Sequence, residues 1–137
     1  MNEKFKVKFS WALYDWANSA WSAIIITFIF SRYFVDVLSP NPDQGTLFWT
    51  WTIGLSSLLA AIISPVVGGI SDQTNKSKLW LVFTTSIYAL IAISLWFAEP
   101  NLINLFIIII LIFIGNLAYE ISQIFLNFAN EIKKIYL

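Results

Sequence analysis

The sequence predicts an all-α membrane protein with four transmembrane helices, and two observations carry that expectation. Of 137 residues, 58% are hydrophobic and 12% charged, against about 25% charged in soluble domains, and the mean hydropathy is +0.74. The apolar residues gather into four long stretches nearly free of charge, about residues 14–37, 46–70, 79–98 and 102–130. Each reaches the ~20 residues that a helix needs to cross ~30 Å of hydrocarbon. None alternates as a membrane strand of about 10 residues would.

The first stretch opens on "YDWANSAW" (Tyr14–Trp21) and runs into "SAIIITFIF". Lys4, Lys6 and Lys8 precede it, as in a secretory signal. Asp15 interrupts the start of the apolar run, no small-x-small cleavage site follows, and three more spans come after, so the segment reads as a retained helix. "SPNPDQG" (Ser39–Gly45) is turn chemistry leading to the second helix. That helix carries "SPVVGG", where Pro65 should kink it and Gly68 and Gly69 let another backbone approach. "SDQTNKSK" (Ser71–Lys78) leads to the third helix. "EPN" (Glu99–Asn101) leads to the fourth, with Pro100 suited to a first helical turn. Such short connections make consecutive helices antiparallel neighbours.

Lysines set the expected orientation. Lys4, Lys6, Lys8, Lys76, Lys78, Lys133 and Lys134 fall on one side of the membrane, and Asp43 and Glu99 on the other. The positive-inside rule then puts both termini in the cytoplasm. Trp11, Trp16 and Trp80 mark the inner interface, and Trp49, Trp51 and Trp96 the outer one.

Polar residues inside the spans fall into stripes. Asp15, Asn18, Ser19 and Ser22 share one face of the first helix at i, i+3, i+4 and i+7. On the fourth helix, Asn116, Tyr119, Glu120, Gln123, Asn127 and Asn130 form a longer stripe. Polar faces in a bilayer should turn toward protein or a water-filled cavity, and inward positions are expected for Asn18, Ser19, Asn116 and Gln123. Glu120 is the one acid well inside an apolar span, a candidate for proton coupling, a cation ligand or an ion pair. The bland alternative is interhelical hydrogen-bond glue. Arg32 and Asp36 are spaced as an i, i+4 pair at the outer end of the first helix, where a snorkelled surface pair is expected.

The composition also excludes. The chain has no Cys and no His, which removes disulfides, thiol chemistry, zinc sites and histidine relays. Its net charge of zero gives nucleic acid nothing to grip. Nothing has nucleophile–base or metal-ligand spacing, so neither an enzyme nor a cofactor is expected.

"SWALYDWANSAW" in the first helix, with "SPVVGGISDQTNKSKLWL" after the second, resembles the vacuole effluxer family of the major facilitator superfamily. The second stretch is similar to the superfamily loop motif G-x-x-x-D-R-x-G-R-R/K. Gly68 and Asp72 stand at its Gly and Asp, Lys76 and Lys78 stand for its basic residues with Lys78 one position beyond the last, Gln73 replaces the first Arg and Asn75 the Gly. "FLNFANE" is similar to a family segment with an Asn before Leu-Pro; Asn127 is that Asn, and no Leu-Pro follows.

The resemblance implies that residues 1–137 are the start of a major facilitator N-terminal half, truncated from a transporter of about twelve helices. It further implies a multi-pass protein of the bacterial cytoplasmic membrane, moving a small polar solute such as an amino acid and not competent alone. Asp15, Asn18, Ser19, Ser22, Asn116, Tyr119, Glu120, Gln123 and Asn127 would line the solute path. Gly68, Gly69, Asp72, Lys76 and Lys78 would form the conformational loop. Expected partners are the lipid bilayer, the solute, and a missing second half or a second copy. Two alternatives stay open: a dimeric, proton-coupled four-helix exporter of the multidrug type, and a non-transporting membrane scaffold.

Overall fold

The computed structural model describes residues 3–74 and 77–136, with the backbone alone at 3, 4, 6, 7, 71–74, 102 and 128–136. Lys76 lies outside the described residues, as do the side chains of Asp72 and Asn130. Among the described residues every regular element is a helix, and four spans are present, Lys8–Leu38, Pro42–Ile70, Ser77–Leu95 and Ile103–Asn127.

The first span is not one regular helix. It comprises α1 (Glu3–Ala20), a π-helical stretch Trp21–Phe28, α2 (Phe30–Tyr33) and a second π-helical stretch Phe34–Leu38. Hydroxyls support the wider register: Thr27 donates to the Ser22 carbonyl at 2.9 Å, and Ser39 to the Phe34 and Val35 carbonyls at 2.9 and 2.6 Å. The remaining helices are α3 (Pro42–Thr74), α4 (Ser77–Leu95) and α5 (Leu102–Tyr136).

Asparagine caps place two boundaries away from their expected positions. Asn41 accepts from the Gln44 amide at 2.9 Å, and Pro42 follows at the first helical position. The residues read as a turn up to Gly45 are therefore already the first turn of α3. Asn101 accepts likewise from the Ile103 amide at 3.2 Å, so it caps α5, and Pro100 stands before the helix rather than in its first turn. α4 ends at Leu95, three residues early. Trp96, Phe97 and Ala98 close it with tight i→i−3 bonds of 3.2 Å each. α3 continues through Pro65 as one element.

α5 is the centre of the bundle. It packs along both α3 and α4, which scarcely meet each other, while the Phe34–Leu38 stretch packs on α3. α3 shows how a span divides its faces. Thr52, Ser56 and Ala60, spaced by four, are buried, whereas Leu58, Ile62 and Val66 are 58%, 65% and 62% exposed. Small residues turn to the neighbouring helices, where packing rather than water exclusion holds membrane helices together, and the branched ones turn to lipid.

The core is aromatic where the first span meets its neighbours. Phe34 is fully buried with its ring 5.3 Å from Trp49. Gly45 makes that approach possible: a Cβ there would run into Ser39 Oγ and sit 2.9 Å from the Val35 backbone. At mid-span, Trp21 lies over Gly115 of α5 and 5.5 Å from the Tyr88 ring of α4. A second cluster, Leu81, Phe125 and Leu126, joins α4 to α5 nearer the Lys78 end.

Candidate functional site

Two polar layers cross the bundle, one on each side of α5. On the α3 side, Asn116 is 2% exposed and donates through Nδ2 to Ser56 Oγ at 2.9 Å and Ser57 Oγ at 3.3 Å. Ser56 passes its own proton to the Ile53 carbonyl at 2.9 Å. Ser57 donates to Glu120 Oε1 at 3.2 Å. The direction of donation therefore runs from Asn116 through Ser57 to the carboxylate of a half-buried Glu120.

On the other side, the first span meets α4 and α5. Tyr88 donates to Asn18 Oδ1 at 2.6 Å, and the Tyr14 and Thr85 hydroxyls share a bond of 2.7 Å. Tyr119 stands edge-on to Tyr88 with ring centres 5.8 Å apart. It faces Ser22, with Tyr14, Asp15 and Glu120 in electrostatic range. The layer thus gathers hydroxyls from the first span, α4 and α5, with the Tyr88 hydroxyl on the buried Asn18 carboxamide.

The α5 stripe is divided between these layers. Successive residues on a helix point about 100° apart, so Asn116 and Glu120 reach α3 while Tyr119 reaches the first span and α4. Gln123 is half-buried with its amide nitrogen enclosed and without a hydrogen-bond partner, and Asn127 is exposed.

The four positions expected inward divide within this chain. Asn18 and Asn116 are buried, but Ser19 is exposed and returns its hydroxyl to the Asp15 carbonyl of its own helix at 2.9 Å. A serine that bonds the carbonyl four residues back needs no partner helix. Gly69 has nothing within 4 Å of an added Cβ, so only the buried Gly68 is tucked against its surroundings. Asp15 and Lys78 are exposed, and Ser22 is half-buried. Arg32 Nε and Asp36 Oδ2 stand 2.7 Å apart at the surface, as their spacing predicts.

Ser56, Ser57, Tyr14, Thr85 and Tyr88 belong to these layers although no stripe pointed to them. Their signal was chemical rather than periodic. A Ser–Ser pair and a tyrosine in the middle of apolar spans must find partners, because lipid offers none. No group of three metal-binding side chains occurs among the described residues.

The family described as "Vacuole effluxer Atg22 like" matches residues 44–129, from the first turn of α3 through most of α5. The first span, with its "YDWANSAW", precedes that match. The uncharacterized MFS-type transporter YxiO of Bacillus subtilis (strain 168) is 32% identical over 80 residues, which are 56% of this chain and 19% of that protein. The chain therefore matches about a fifth of the length of this curated relative. No solved structure matches the chain. With more than half of its residues inside the family match, the chain belongs to the vacuole effluxer Atg22-like family of major-facilitator-type transporters.

Proposed function

We propose that these four helices form the opening section of a secondary-active transporter in a bacterial cytoplasmic membrane, moving a small polar solute such as an amino acid. The observation that carries this reading is Glu120, a carboxylate within a span, bonded to Ser57 of a neighbouring helix and next to a second polar layer. A group so costly to place in lipid is retained where it meets a charge or a polar ligand. Transport needs more than these helices. They pack as one body around α5, whereas alternating access rocks one unit against another around a shared site. The second unit comes from further helices of a longer polypeptide or from a second copy.

The test is a chimera in which this chain replaces the matching stretch of the Bacillus relative. Vesicles carrying it should accumulate labelled amino acids above vesicles carrying neither protein. A chimera that reaches the membrane at normal levels and accumulates none would remove the solute assignment.

The same reading places both termini, with Lys8 and Lys78, in the cytoplasm. The Cys-free background makes this directly checkable. In intact cells an impermeant maleimide should label Asp43→Cys and leave Lys78→Cys untouched; the reverse pattern inverts the topology.

A further inference from the structure

A groove of about 660 Å³ separates the first span from α4. Ala17, Ala20 and Ile24 form one wall, and Ala89, Ala92 and Ile93 the other. Both ends are pinned, one by the Tyr88–Asn18 bond and the other by Tyr33, which donates to the Ala98 carbonyl at 3.1 Å. The two tyrosine hydroxyls on its lining are thus already committed, which leaves little for a polar solute. Its rim opens sideways: Ile29 and Ile93 are each 64% exposed, and Trp96 is 86% exposed. From Ala17 to Tyr33 the first span rises about 20 Å, because its π-helical half advances less per residue than the ~1.5 Å of an α-helix. One leaflet's acyl chain covers roughly half of the ~30 Å hydrocarbon core. The groove is therefore long enough and apolar enough for one acyl chain.

The far end supplies a match for a headgroup. Ile29 and Tyr33 line the groove, and Arg32 and Asp36 follow them by three residues each at the same end of the first span. Their 2.7 Å ion pair is 78% and 39% exposed, and a pair that wet adds little to stability. It does present a guanidinium fork beside a carboxylate, which is the charge complement of a phosphate joined to an ammonium. Trp96 stands at the same mouth, an amphipathic ring of the kind that settles at headgroup level. We propose that this groove is a phospholipid site, with an acyl chain between the first span and α4. A phosphoethanolamine headgroup sits at its mouth, phosphate on Arg32 and ammonium on Asp36.

Native mass spectrometry of the purified, delipidated chain tests this, with dioleoyl phosphatidylethanolamine, phosphatidylcholine and phosphatidylglycerol offered separately. Phosphatidylethanolamine should be retained at least about fivefold better than the other two, since choline cannot donate to Asp36 and glycerol carries no ammonium. The exposed double substitution Arg32→Gln/Asp36→Asn should bring it down to the phosphatidylcholine level. Ala92→Phe, which fills the groove, should lower retention of all three lipids, while Ile62→Phe on the opposite face of α3 should change nothing. Equal retention of the three lipids, or retention indifferent to both groove variants, overturns the proposal. So does a chain–chain cross-link through Ala20→Cys, because a second copy would then fill the groove.

Discussion

Replacing Gly115 by leucine should unfold the centre of the bundle more effectively than any other single small-to-large change at mid-span. A Cβ at Gly115 would stand 2.5 Å from Trp21 Cη2, 2.8 Å from Cζ2 and 3.2 Å from Ile91 Cγ2. The first two atoms belong to a rigid indole that is 3% exposed and packed against the Tyr88 ring. Forcing atoms into such a site costs about 1–3 kcal/mol through displaced side chains and backbone. Alanine should sit near the low end of that range and leucine at or beyond the high end. Denaturation of the reconstituted chain in mixed micelles measures the loss. If the clash with Trp21 is the cause, Trp21→Leu should relieve much of it, giving a coupling energy of about 1 kcal/mol or more in a double-mutant cycle. Strictly additive losses would place the strain elsewhere.

Much of this fold was legible in the residues. Hydropathy located all four spans, because a bilayer demands length and apolarity before anything else. Spacing alone gave the Arg32–Asp36 pair. The destination of a polar face was less legible. Periodicity puts Asn116, Tyr119 and Glu120 on one broad stripe, but which edge meets which helix is set by α5 lying between α3 and α4, a tertiary fact. Ser19 meets a related limit: it can satisfy itself on its own backbone, so its polarity does not force it inward. The π-helical register of the first span left no mark in hydropathy, since the same apolar side chains serve either hydrogen-bond spacing. The Thr27 hydroxyl five residues after the Ser22 carbonyl gains meaning only once that spacing is seen. The caps were within reach. Asn41–Pro42 pairs a good cap with the residue best suited to the first helical position, and composition alone made it look like a turn.

The sharpest functional test is Glu120→Gln, because the substitution removes charge while keeping shape. Glutamine is nearly isosteric with glutamate, and its carbonyl oxygen can still accept the Ser57 hydrogen bond now made at 3.2 Å. Its added amide protons stand in a layer already supplied with oxygens from Ser56 and Ser57. Stability should therefore change by less than about 1 kcal/mol, within the range measured for single interhelical hydrogen bonds in membranes. Charge is a different matter. If the carboxylate meets a proton or a cationic group of the solute during transport, no neutral side chain can replace it. Uptake by the chimera should then fall at least about tenfold, equivalent to about 1.4 kcal/mol of lost stabilisation, and its dependence on external pH should flatten. Ser57→Ala probes the same carboxylate from α3 by removing its hydrogen-bond donor, and should shift that pH dependence without abolishing uptake. If Glu120→Gln leaves both the rate and the pH profile intact at normal protein levels, Glu120 serves only to bond α5 to α3. The solute path then lies with Asn18, Tyr88 and Tyr119 on the other side of α5.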